Sequence, residues 1–230
     1  MNSRSEEMQK YYLEHILKED DTFNFKCKMC GLCCIRDEDE PVIVMGPDLV
    51  RIARKLHLST LDVIRKYCYF NIGEKTGLPV LTLKTDWMRR CVFLQNARCM
   101  VHDAKPEVCA MFPLGRMVRA NSSKENGEAS YAYFTQPGGG CPGENTDVAC
   151  TLREWKEKFH LEEREKEMLA WNNMLPDLMA IADIYDRADP AEVFLSQALY
   201  DFDPAKDLIP QIEKNHKIAK EVLAKAQEMI

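Results

Sequence analysis

The chain has 230 residues, a formal net charge of −6 and ten cysteines. Hydrophobic residues make up 46% and charged residues 30%, which excludes wholesale disorder; ten glycines and eleven prolines exclude a collagen-like or low-complexity chain. The acidic balance makes DNA an unexpected partner, because phosphate binding draws on an excess of Lys and Arg.

The opening stretch MNSRSEEMQK is polar, and no segment approaches the roughly 20 apolar residues that span a bilayer. A cytoplasmic chain without membrane contact is expected. Met8, Tyr11, Tyr12, His15 and Ile16 recur at helical spacing and predict a leading helix within residues 1–22. Pro47, suited to a first helical turn, predicts a helix carrying Leu49, Ile52, Ala53 and Leu56. Ser59, with Asp62 three residues later, predicts the cap of the next helix, over Leu61, Ile64 and Tyr67. Cys68 is expected inside that apolar helix, beside Tyr67, Tyr69 and Phe70. Strands are expected at 78–83, 98–101 and 131–135, a hairpin tip at 121–128 and a tight Gly/Pro turn at 136–143. Beyond residue 150 the pattern is helical, punctuated by Pro176, Pro190 and Pro204, with Phe194, Leu195, Ala198 and Leu199 as helix core. The fold class is α+β: an irregular cysteine-rich centre with short strands, surrounded by helices, plus a helical C-terminal section. The expected division is a leading helix at 1–22, a cysteine-cluster metal-binding domain at 23–150 and a helical extension at 151–230.

All ten cysteines lie between Cys27 and Cys150. Cytoplasmic thiols stay reduced and a vicinal Cys33–Cys34 bridge would be strained, so a disulfide framework is not expected. Three blocks carry turn residues around their thiols: Cys27, Cys30, Cys33 and Cys34 in FKCKMCGLCC; Cys91, Cys99 and Cys109 in the middle; Cys141 in GGGCPG. Two-residue spacers let successive thiolates turn back onto one metal, with Gly31 supplying the tight turn. Eight thiolates fill two sites of four. Cys33 and Cys34 are expected to divide between neighbouring centres, because adjacent side chains diverge. Spacing alone does not say which block feeds which site. Cys68 and Cys150 read as small buried apolar residues, with Cys150 open as a spare ligand.

The Cys27, Cys30, Cys33 triplet with a remote Cys141–Pro142 is the spacing of an iron–sulfur cluster. Zinc is the alternative, as closed four-cysteine sites serve folding, but only the first block has knuckle spacing.

These blocks, with CVFL-x4-C, KPEVC-x2-FP and CPG, resemble the YkgJ-type cysteine-cluster family, described as zinc- or iron-chelating. The resemblance covers about residues 23–145 and implies a metal ligand set more than an activity. Some members are named after flagellin lysine N-methylase. Here His102 stands where the family tends to have Tyr, Lys105 replaces Arg before Pro106, and Ala110 replaces a basic residue after Cys109. A Rossmann-type methyl-donor site wants a glycine turn between strand and helix, whereas PGGGCPG carries a ligand and is followed by Pro142. The C-x3-C-x2-C run of radical methyl-donor enzymes is absent. Lysine methylation therefore rests on the family name alone.

Lesser candidates have plainer readings beside them. His102 is a ligand or proton carrier, or else a half-exposed strand histidine; His57 is surface. Asp37, Glu38, Asp39 and Glu40 form a solvated acidic loop, or else contact a hard cation or a basic partner. Trp87, Arg89 and Arg90 precede Cys91 and are expected to pack over the site or cover its charge. No catalytic residue is assigned. Two classes of function follow: an iron–sulfur protein for electron transfer, redox sensing or support of a reaction on a macromolecule, or a structural zinc module whose helical tail binds a protein partner.

Overall fold

The structure, a computed structural model, describes residues 10–35, 41–119, 130–136, 140–185 and 189–228. The strands are β1 (Ile16–Leu17), β2 (Thr22–Asn24), β3 (Ile43–Val44), β4 (Cys68–Ile72), β5 (Pro79–Leu83), β6 (Leu94–Gln95), β7 (Arg98–Cys99), β8 (Leu114–Arg119), β9 (Ser130–Thr135) and β10 (Ala149–Thr151). The helices are α1 (Gly46–Leu56), α2 (Thr60–Tyr67), α3 (Glu107–Met111), α4 (Leu152–Lys158), α5 (Leu161–Ile184), α6 (Asp189–Tyr200) and α7 (Leu208–Glu228). The class is α+β, as expected.

Two compact units emerge, each made of two separate stretches of chain. The first comprises residues 1–32 and 108–162, the second residues 33–107 and 163–230. The chain is thus cut differently from the consecutive segments read from cysteine density.

In the first unit β1, β9 and β8 form one antiparallel sheet and β10 pairs with β2. Phe23, Phe25, Leu114, Tyr133, Trp155, Phe159 and Leu161 build its core. Trp155 meets Phe23 and Phe25 edge-on, with ring centroids 5.7 and 5.5 Å apart, the favoured aromatic geometry. Helix α4 starts at a reciprocal cap: Thr151 Oγ1 accepts the Glu154 N–H at 3.1 Å and Glu154 Oε2 accepts the Thr151 N–H at 2.7 Å. Among the described residues, the leading helix ends earlier than expected. Helical backbone covers 10–14, then the chain turns into β1. The reason is tertiary: Ile16 and Leu17 pair with Phe134 and Tyr133 of β9. Strand β8, not foreseen, completes that sheet by pairing along its whole length with β9. The expected hairpin tip at 121–128 lies outside the described residues, between these paired strands.

In the second unit β5 is the central strand, between β3 and β4. Leu49 and Ile52 of α1, Leu81 of β5, Leu178 and Ile181 of α5, Leu195 and Leu199 of α6 and Ile212 of α7 are buried together as its core. Each such side chain contributes about 1.5–3 kcal/mol by leaving water. The cap of α2 is as expected: Ser59 Oγ accepts the Asp62 N–H at 3.1 Å. Helix α1 carries Pro47 in its first turn and ends at His57, an exposed residue in the left-handed region at φ 53°.

Two expectations fail here. Cys68 opens strand β4 and pairs with Leu83, because Tyr69 and Phe70 suit a strand once β5 lies alongside. Pro176 does not end a helix but sits inside α5. A proline there costs about 3 kcal/mol locally. Its neighbours Met174, Leu178 and Ile181 are at most 1% exposed, and their burial outweighs that cost.

Candidate metal centre

Each unit holds four of the eight candidate ligands. The first unit has Cys27, Cys30, Cys109 and Cys141; the second has Cys33, Cys34, Cys91 and Cys99. None of the ten cysteines is in a disulfide.

In the first unit, Cys27 and Cys30 lie in the irregular chain after β2. The Lys26 N–H donates to the Gly143 carbonyl at 2.8 Å, which lays the Cys27 loop beside the Cys141 loop. Gly143 is required for that approach, since a β-carbon there would meet the Lys26 oxygen at 2.9 Å. Both loops turn the same way around sulfur. The Met29 N–H donates to Cys27 Sγ at 3.4 Å, and the Gly143 N–H donates to Cys141 Sγ at 3.4 Å. Met29 sits at φ 52° and Gly31 at φ 74°, so the C-x2-C turn is a left-handed knuckle flanking Cys30. For methionine that conformation is uncommon and marks a constrained site. Cys109 rides on α3 next to Ala110, a fully buried core residue, and Cys141 packs against the same core. Residues 137–139 of the Gly/Pro turn lie outside the described residues.

In the second unit, Cys33 and Cys34 form a short 3-10 turn with Leu32. The Cys91 N–H donates to the Cys34 carbonyl at 2.7 Å, with bridges Ile35–Arg90 and Thr85–Cys91 on either side. The Leu94 N–H then reaches back to the Cys91 carbonyl at 2.9 Å, and Leu94 pairs with Cys99 across the β6–β7 hairpin. That hairpin turns through Asn96 at φ 48° and Ala97 at φ 59°, the two-residue turn that matches strand twist. Cys99 accepts the Val101 N–H, the third case in which sulfur takes the amide two residues on. Cys34 hydrogen-bonds the Cys33 side chain and interacts electrostatically with Cys91 and Cys99. Both members of the adjacent pair lie in the second unit.

The electrostatics follow from this crowding. The Cys33 hydrogen bond, then burial, pushes the Cys34 thiol well up. Burial pushes Cys99 up as well, while the Val101 N–H pulls against it. Like charges in one place oppose ionisation, and a cation among them relieves that opposition. Among the described residues no three His, Cys, Asp or Glu side chains already converge as a closed ion cage.

The two spare cysteines have plainer surroundings. Cys68 is 5% exposed, and burial pushes its thiol up to about 12. Cys150 lies in β10 opposite Phe23, packed against the aromatic core, and burial pushes it up too. Both sit on strands rather than in turns.

Trp87 does not cover the site: it is 88% exposed at the tip of a turn. That turn is held by Asp86, whose carboxylate accepts the Met88 and Arg90 N–H groups and pairs with the Arg90 guanidinium at 2.7 Å. His102 is half-buried and interacts with Asp103, which pairs with Lys55 at 2.5 Å. Residues 36–40, with the acidic run, lie outside the described residues.

Sequence reasoning missed a buried charge network in the second unit. Asp48, 1% exposed, accepts the Glu107 N–H at 2.9 Å and the Arg51 guanidinium at 2.8 Å. Arg51 also pairs with Glu167. Arg164, 3% exposed, donates to the Lys105 carbonyl at 2.9 Å. Asp48 and Arg164 thus grip the chain at Lys105 and Glu107, just before Cys109. The only early signal was Asp48 in the first turn of α1. Arg164 and Glu167 come from beyond the cysteine-rich stretch, where spacing offers no clue.

No helix among the described residues is long and apolar enough to cross a membrane. No solved structure matches the chain. The family model "CxxCxxCC: Putative zinc- or iron-chelating domain" matches residues 26–142, which include all eight knuckle cysteines. Thiol-rich turns with backbone amides aimed at sulfur are a donor set suited to such ions. The chain belongs to the CxxCxxCC family.

Proposed function

We propose that this protein binds metal through Cys27, Cys30, Cys33, Cys34, Cys91, Cys99, Cys109 and Cys141, carried as iron–sulfur for electron transfer, redox sensing or support of a reaction on a macromolecule. One observation carries the reading: Cys27, Cys99 and Cys141, from three remote stretches, each accept the N–H two residues on. Backbone amides aimed at sulfur orient it as a ligand. In an iron–sulfur site they also set the potential, together with burial. The bound group would supply one-electron chemistry; the chain supplies eight sulfurs, amide dipoles and half-buried surroundings at Cys99, Cys109 and Cys141.

A zinc reading is favoured by one specific feature. Cys33 keeps company with Cys34, so the triplet spacing that points to iron is shared between two groups. Closed four-cysteine zinc sites serve folding. The protein partner proposed with that reading would meet the helical section on its polar faces, since Leu178, Leu195, Leu199 and Ile212 are buried.

Anaerobic purification followed by elemental analysis separates the two. A brown protein carrying iron and sulfide is the expected result. A colourless protein carrying zinc replaces the first reading with the second, and a metal-free protein removes both.

A further inference from the structure

We propose that the eight cysteines close as two independent four-sulfur centres, one within each compact unit: Cys27, Cys30, Cys109 and Cys141 in the first, Cys33, Cys34, Cys91 and Cys99 in the second. This rests on the metal-binding reading and adds what spacing leaves open, namely which thiol serves which ion.

Backbone geometry draws the second group. The Cys91 N–H donates to the Cys34 carbonyl at 2.7 Å, the Leu94 N–H donates to the Cys91 carbonyl, and Leu94 is the cross-strand partner of Cys99. Cys33 directly precedes Cys34 in the same 3-10 turn. The first group is drawn by a different set of bonds. The Lys26–Gly143 bond sets the Cys27 loop against the Cys141 loop, and Cys30 follows Cys27 through the left-handed knuckle at Met29. Cys141 packs against the core that includes Ala110 and Phe25, and Cys109 directly precedes Ala110 on α3. Each unit also contains one or two of the sulfurs that take an amide bond: Cys27 and Cys141 in the first, Cys99 in the second. The remaining two cysteines, Cys150 and Cys68, fall one to each unit and sit on strands, so neither group needs them.

Chemistry supports four per group. A tetrahedral soft ion, or one cubane cluster, takes four thiolates. One four-coordinate centre cannot use all eight sulfurs, so a second centre takes the other four. The turns that carry these thiols are formed in the structure.

The test uses the full-length chain, freed of metal under anaerobic reducing conditions and titrated with Co2+, whose tetrahedral thiolate complexes absorb strongly in the visible. Wild type is expected to take up two equivalents in tetrahedral sulfur sites, and cadmium bound in their place should give two NMR resonances. Cys99→Ser and Cys141→Ser should each remove one equivalent and leave the other, the double variant both, and Cys150→Ala neither. The wild-type titration needs no variant to fold and decides on its own. A single tetrahedral site in wild type, or loss of both equivalents from one substitution in a chain with unchanged circular dichroism, overturns the two-centre proposal while metal binding stands. No tetrahedral thiolate band in wild type at all overturns the metal-binding reading instead.

Discussion

The two compact units solve the same problem with different means. The first, built from residues 1–32 and 108–162, relies on a small aromatic core and many turns. The second, with residues 33–107 and 163–230, has long helices over a central strand, an aliphatic core and a buried ionic network. A small core leaves folding energy to be supplied by other means, and metal is the usual supplement. If each unit holds four thiolates, the first depends on them for its fold, whereas the second holds its quartet on an independently packed frame.

Metal removal is the strongest way to break this comparison. Chelation should abolish hydrogen-exchange protection of β8 and β9 while amides of α5, α6 and α7 stay protected. Equal loss in both units would erase the distinction.

Next come substitutions in the two cores. Trp155→Ala opens a cavity in the aromatic core at about 3–5 kcal/mol. It should lower metal affinity as well, because folding and binding are coupled there. A Trp155→Ala protein with wild-type metal affinity would count against that coupling. Asp48→Ala removes the acceptor for the buried Glu107 N–H and one of the two carboxylates paired with Arg51, which costs about 1–3 kcal/mol. Chemical denaturation followed by a probe in the second unit reads it, and metal content should remain.

Caps give a finer comparison. Ser59→Ala in the second unit and Thr151→Ala in the first each lose an N-cap worth about 1 kcal/mol. With metal bound the two midpoints should shift alike; without metal only the Ser59 effect should remain measurable.

The smallest effect is the pH dependence of the Thr151 cap. Its backbone and side-chain bonds to Thr151 hold the Glu154 carboxyl below the ordinary value of 4.5. A depressed folded value means that the contribution is complete above pH 4.5 and lost as pH falls through the folded value. Asp86 and Asp103 are held down in the same direction, by Arg90 and by Lys55. Denaturation midpoints measured from neutral pH downward should therefore be flat, then decline once pH passes below that range. A rise in that interval would contradict the sign.

Local chemistry was readable without a structure. Ser59 and Asp62 announced a cap, Pro47 a helix start, the Gly31 turn a knuckle, and eight thiols among turn residues a metal-binding protein of α+β class. These features depend on neighbours within a few residues, and their physics is the same in any fold. The partners of Ile16 and Cys68 lie far along the chain, and those positions misled. Pairing with β9 and β5 overrode a helical period, and packing around Met174 and Leu178 overrode a proline. The grip of Asp48 and Arg164 on the chain before Cys109 was likewise settled by contacts across long loops, and the grouping proposed for Cys33, Cys91 and Cys99 rests on such contacts too. Residue spacing sets which thiols exist and how tightly the chain turns at each; only the folded backbone decides which of them meet.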